Sequence, residues 1–153
     1  MLISTRARSL GPDTPYPGAR RLDPVLPTLV VAAAVIERGE EILVTRRPQG
    51  VHLEGHWEFP GGKCEPGESL HACIIRELRE ELAVEAIVGE EVLVTSHEYV
   101  DRRVELHFLR CTISGAPSPE LGQEIRWVRR EELAKLQFPP ADQELIRLLG
   151  DKR

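Results

Sequence analysis

A chain of 153 residues with 41% hydrophobic and 29% charged side chains has the size and composition of one globular domain, large enough to bury a core without disulfides or a structural metal. Its net charge of −5, from 20 basic and 25 acidic residues, makes it a poor ligand for duplex nucleic acid, so a phosphate-bearing substrate needs local arginines or bound cations. The longest apolar run, Leu29 to Ile36, falls far short of the roughly 18 residues a membrane span requires.

The opening MLISTRARSL puts arginines after a short apolar start, the reverse of a signal peptide, and a cytoplasmic protein is expected. Residues 1–27 carry five of the twelve prolines, Pro12, Pro15, Pro17, Pro24 and Pro27, and read as a flexible arm ahead of a domain over 28–150. Two β-rich runs follow, LVVAAAVI and EILVTRR, joined by a turn at Arg38-Gly39-Glu40. The first is apolar on both faces and belongs inside a sheet. Residues 48–67 hold five glycines and three prolines and read as a long structured loop, the place where chemistry concentrates.

Ser69 to Leu82 is the clearest helix, with Ser69 as N-cap and Leu70, Ile74, Ile75, Leu78 and Leu82 on one face. Strands are expected over 85–99, broken near Gly89, over 102–113 and over 125–128. Two short helices, Arg130 to Leu136 and Pro139 to Leu149, close the chain. Strands interspersed with helices imply a mixed sheet covered on both faces. The three cysteines, Cys64, Cys73 and Cys111, show no C-x-x-C spacing and are expected as plain thiols.

On the 69–82 helix, Glu77, Glu80 and Glu81 stand at i, i+3 and i+4, three carboxylates on one face. A hard divalent cation with oxygen ligands is one natural counter-charge; ion pairing with Arg76 and Arg79 is the other. The preceding Gly61-Gly62-Lys63-Cys64-Glu65-Pro66-Gly67-Glu68 offers backbone groups without side-chain obstruction and runs directly into the helix.

Loop and helix together resemble the Nudix box, G-x5-E-x7-R-E-U-x-E-E-x-G-U with U aliphatic, through Gly62, Glu68, Arg76, Glu77, Leu78, Glu80, Glu81 and Val84. The final glycine of the box is Ala83 here, which is expected to change the helix exit. TRRPQGVHLEGHWEFPGGK (Thr45 to Lys63), Asp101-Arg102-Arg103 and FPPAD (Phe138 to Asp142) are similar to the MutT branch. The resemblance implies the α/β/α sandwich of that family, with a mixed sheet and a catalytic loop-helix. It also implies Mg2+- or Mn2+-dependent hydrolysis of a nucleoside triphosphate to a monophosphate and pyrophosphate.

By the same resemblance, Glu80, Glu81 and the carbonyl of Gly61 hold the cation, Glu77 holds a water or takes its proton, and Arg76 orients Glu77. Arg47 binds phosphate, and His52, Arg102 and Asp142 line the base pocket; Lys63 and Phe59 are further substrate-binding candidates. The general base stays open between Glu77 and the later Glu120 or Glu124. Trp57 and Phe59 are candidates to stack on a base, or to sit in the core.

An ionised Asp142 only accepts hydrogen bonds and suits the amine of cytosine; a protonated one can donate to an oxo-purine. The leading substrate is oxidised dGTP, such as 8-oxo-dGTP. The alternatives are CTP or a modified pyrimidine, then ADP-ribose or a nucleotide sugar, then a non-catalytic nucleotide-binding module. No membrane and no duplex partner is expected, and the chain is a monomer or homodimer.

Overall fold

The apolar run at the start of the domain forms strand β1 (Thr28–Arg38) and is apolar throughout because both of its faces are covered. Ala32, Ala34 and Ile36 enter one core, while Ala33 and Val35 enter the other. The computed structural model describes residues 26–151. The Pro-rich arm expected over 1–27 thus lies almost wholly outside the described residues.

The remaining strands are β2 (Glu41–Arg46), β3 (Trp57–Glu58), β4 (Gly61–Lys63), β5 (Glu85–Glu98), β6 (Arg103–Ser114) and β7 (Glu124–Arg129). The order is β3-β2-β1-β6-β5, with β4 on β1 and β7 on β2. β1 runs parallel to β6, from Thr28 opposite Arg103 to Ile36 opposite Cys111. Its other edge is divided: Val31 to Ala33 pair antiparallel with β4, and only Glu37 and Arg38 reach β2. The sheet therefore parts between β1/β4 and β2/β3. β5 is continuous through Gly89, but its register against β6 shifts between Val88 and Leu93, a bulge where the break was expected.

Helix α1 (Leu70–Leu82) covers one face, burying Cys73, Ile74, Leu78 and Leu82 against Ala32, Ala34, Ile36 and Leu43. Full burial of each leucine contributes about 2 kcal/mol. Ser69 caps it, its hydroxyl accepting from the Ala72 amide at 3.1 Å. Helix α2 (Gln143–Asp151) covers the other face with Leu145, Ile146 and Leu149, packed with Val35, Phe108 and Leu133. This is the mixed-sheet α/β/α sandwich expected from the sequence.

Four local expectations are corrected. The 48–67 loop contains β3 and β4, because Gly61 can approach β1 where a side chain could not: a Cβ on Gly61 would collide with the Ala32 carbonyl oxygen. The segment after β7 is 3-10 helix over Arg130–Lys135, and Pro140–Asp142 is a separate 3-10 turn ahead of α2. Ala83 does not alter the helix exit; it adopts the left-handed conformation itself, φ 55° and ψ 40°, with its amide bonded to the Arg79 carbonyl. Cys64 and Cys73 are not plain thiols but a disulfide, with Cα atoms 5.2 Å apart. The turn through Gly67 folds Cys64 back over the second turn of α1, a proximity that no sequence motif signals. Cys111 is a free, buried thiol.

Candidate active site

The site is built where the two parts of the sheet diverge. β4 ends beside α1, and Gly62 lies against the Glu77 carboxylate, leaving no room for a Cβ. The Gly61 amide donates to Glu81 Oε1 at 3.3 Å. Glycine at both positions lets backbone and carboxylates share one small volume.

Arg76 organises the loop against the helix. Its guanidinium donates to both oxygens of Glu68 at 2.8 and 2.9 Å, to Glu77 and Glu80 at 2.9 Å each, and to the Lys63 carbonyl at 3.0 Å. The bonds from Arg76 pull the Glu68 carboxyl down to about 2. The i,i+4 pairing of Arg76 with Glu80 is thus made, but it does not reach Glu81: among the described residues no arginine or lysine pairs with that carboxylate.

Burial pushes Glu81 up to about 8, and the Glu77 carboxylate adds to the rise. Glu81, without a counter-charge of its own and close to the Arg76-bound Glu77 and the more exposed Glu80, belongs to a cluster of carboxylate oxygens that fits a divalent cation.

From Glu81 a pocket of about 500 Å³ opens between β1/β4 and β2/β3. Arg47, Lys63, Phe59, Gly61 and Asp142 of the expected residues line it. Arg47 donates to the His52 carbonyl at 2.6 Å and to Glu58 at 3.4 Å. Phe59 is fixed by an edge contact with Phe108 and a tilted one with Phe138, centroids 5.8 and 5.3 Å apart. Asp142 is only 7% exposed, and burial, with Glu58 as a second cause, pushes its carboxyl up to about 7.

Other expected residues stand elsewhere. The side chain of His52 is exposed and does not line the pocket; the residue acts through its carbonyl on Arg47. Arg102 lies 5.7 Å from the Tyr99 ring centre, outside the lining. Trp57 is in the core with Arg126 and Arg46 against its ring, so it is not a stacking surface in the pocket. Glu124 points away into pairs with Arg46 and Arg126. Glu120 is exposed; its amide bonds the Glu81 carbonyl at 3.0 Å, but its side chain does not line the pocket.

Two lining residues were missed in the sequence. Glu58, read only as a spacer between two aromatics, is raised by burial and faces both Glu81 and Asp142. Gln123, almost fully buried, donates to the Glu81 carbonyl at 3.1 Å and accepts from the Leu121 amide at 3.0 Å, tying the loop before β7 to the end of α1. No spacing rule marks either; only the fold brings them to the helix.

Comparison with known proteins agrees with this geometry. Residues 31–148 match the NUDIX domain family. The chain is 40% identical over 117 residues to a CTP pyrophosphohydrolase of Escherichia coli, covering 76% of this chain and 87% of that protein. It is 36% identical over 127 residues to an 8-oxo-dGTP diphosphatase of Haemophilus influenzae, covering 80% and 93%. The solution structure of the E. coli ORF135 protein superposes with a TM-score of 0.74 at 38% identity, covering 82% of this chain and 91% of that one. With the loop-helix, the sandwich and these relatives in agreement, the chain belongs to the Nudix hydrolases, in their MutT-like branch.

Proposed function

We propose that the protein is a cytoplasmic, Mg2+- or Mn2+-dependent pyrophosphohydrolase that converts a (deoxy)nucleoside triphosphate to the monophosphate and pyrophosphate, with 8-oxo-dGTP as the leading substrate. One observation carries the reading: Glu81, which no arginine or lysine of the described residues pairs with, lines one pocket together with Arg47, Lys63 and Asp142. Groups that suit phosphate and base thus line one cavity.

Glu80, Glu81, Glu77 and the Gly61 carbonyl would hold the cation, which when bound neutralises phosphate oxygens and acidifies water. Glu77 takes the proton from the attacking water, and Arg76 fixes its carboxylate through the 2.9 Å bond. Glu77 is preferred to Glu120 and Glu124 as the base because its carboxylate lies against Gly62 and beside Glu81, whereas Glu120 is exposed and Glu124 pairs with Arg46 and Arg126. The Arg47 guanidinium and the Lys63 ammonium bind the phosphate chain. Phe59, locked by two aromatic neighbours, gives the base a rigid wall.

A second reading, hydrolysis of CTP or a modified cytosine nucleotide, is favoured by the aspartate at 142. When ionised it accepts from the cytosine amine; when protonated it donates to the oxygen of an oxidised purine. Because its carboxyl titrates near neutrality, both forms are populated. Pyrophosphate release with Mg2+ over 8-oxo-dGTP, dGTP, dCTP, 5-methyl-dCTP and ADP-ribose, with EDTA as control, ranks the readings. A triphosphate preferred well above the rest supports the proposal, and turnover of ADP-ribose alone would reject it.

A further inference from the structure

We propose that Cys64 and Cys73 form an exchangeable redox site on the catalytic loop-helix, open to dithiol reductants and to disulfide oxidants, whose closure tightens divalent-cation binding. The inference rests on the reading of α1 as the cation-binding helix. A cytoplasmic protein is not expected to keep a structural disulfide, and those found in reducing compartments are usually transient or redox-sensing.

The bond joins the two segments that create the cation site. Cys64 immediately follows β4, and its amide is fixed to β1 by a bond to the Val30 carbonyl at 2.8 Å. Cys73 lies on the second turn of α1, one turn before Glu77. The cross-link thus pins the helix to the strand that carries Gly61 and Gly62, in parallel with the guanidinium of Arg76, which bridges the same segments from Lys63 and Glu68. With the bond open, Arg76 and the longer Gly61 amide–Glu81 bond are left to hold the register that places Glu77 against Gly62.

The two sulfurs differ in access. Cys73 is fully buried, whereas Cys64 is partly exposed at the edge of the loop. A dithiol reductant therefore attacks Cys64 Sγ. The S–S bond breaks and Cys73 leaves as a thiolate that takes up a proton. The second thiol of the reductant then closes its own disulfide and releases Cys64. Two electrons pass to the protein and the reductant leaves as a cyclic disulfide. In the reverse direction glutathione disulfide forms a mixed disulfide on Cys64. Cys73 attacks that sulfur, and two glutathione molecules are released in all.

The test uses the full chain poised with glutathione disulfide or with reduced dithiothreitol. Intact mass and thiol titration give the state of the pair. Mn2+ binding by electron paramagnetic resonance, with no nucleotide present, gives the affinity, and Mg2+-dependent turnover is read beside it. The oxidised form is expected to weigh two daltons less and to bind Mn2+ three- to tenfold more tightly. The Cys64→Ser/Cys73→Ser variant should match the reduced form and ignore the poise. A pair that never closes would overturn the redox site. A pair that closes with Mn2+ affinity unchanged would overturn its coupling to the cation. Absence of nucleotide turnover in both states, with the affinity still shifting, would count against the proposed substrate and leave this inference standing.

Discussion

Gly62 and Glu77 are in van der Waals contact through the missing side chain of the glycine: a Cβ at position 62 would stand 2.5 Å from the carboxyl carbon of Glu77. The backbone of the loop thereby defines where the carboxylate can be. Gly62→Ala should displace Glu77 by about an ångström and lower kcat by about 100-fold, with α1 still formed. Steady-state kinetics with circular dichroism checks this, and an alanine variant with wild-type kcat would show that Glu77 does not need its observed place.

Glu81 is held in a position that costs stability when no cation is bound. Its folded carboxyl titrates at about 8 against an ordinary 4.5, so the folded state binds the extra proton. The metal-free protein should therefore lose stability as pH rises from about 4.5 to 8, by up to about 1.4 kcal/mol per pH unit. Glu81→Gln removes the ionisation. In EDTA it should melt up to about 10–20 °C above wild type at pH 8 and close to it at pH 4, as read by calorimetry. Equal melting curves at pH 8 would mean that Glu81 ionises without strain.

Asp142 should make substrate choice depend on pH. Below about 7 its buried carboxyl is protonated and donates; above, it is ionised and accepts. The ratio of kcat/KM for 8-oxo-dGTP over dCTP is expected to fall about tenfold as pH rises from 6 to 8, the worth of one hydrogen bond to a charged group. Asp142→Asn, which can donate and accept at any pH, should favour 8-oxo-dGTP with a flat ratio. A wild-type ratio that does not move with pH would take Asp142 out of base recognition.

Ala83 carries a left-handed backbone that glycine adopts without penalty. Because the residue is exposed and at the helix exit, Ala83→Gly should raise stability by about 1 kcal/mol, or 2–4 °C, without changing kcat. Thermal melts of the two proteins settle the sign.

The loop-helix was readable because its signals are local. Ser69 caps by its own side chain, the apolar positions of α1 repeat at helical spacing, and the three glutamates share a face whatever the rest of the chain does. The same holds for β1, whose unbroken apolar run can only be covered on both sides. What escaped depends on distant segments meeting. Cys64 and Cys73 pair across a turn with no spacing rule, Gln123 reaches the Glu81 carbonyl from 42 residues away, and Glu58 becomes a pocket residue only once Asp142 and Glu81 are placed around it. Ala83 escaped for another reason. A penalty of about 1 kcal/mol is small beside the burial of α1, so tertiary packing overrides the local preference.

The central claim is that Glu81 and its neighbours would hold a divalent cation that supports hydrolysis of a nucleoside triphosphate. The most direct test compares pyrophosphate release by wild type and Glu81→Gln on 8-oxo-dGTP and dCTP, at matched Mg2+ and with EDTA controls. Wild type should turn over at least one of them, lose that activity in EDTA, and exceed the folded variant by about 100-fold or more, as loss of a charged ligand requires. Wild-type turnover in Glu81→Gln, or turnover that survives EDTA, would contradict the account.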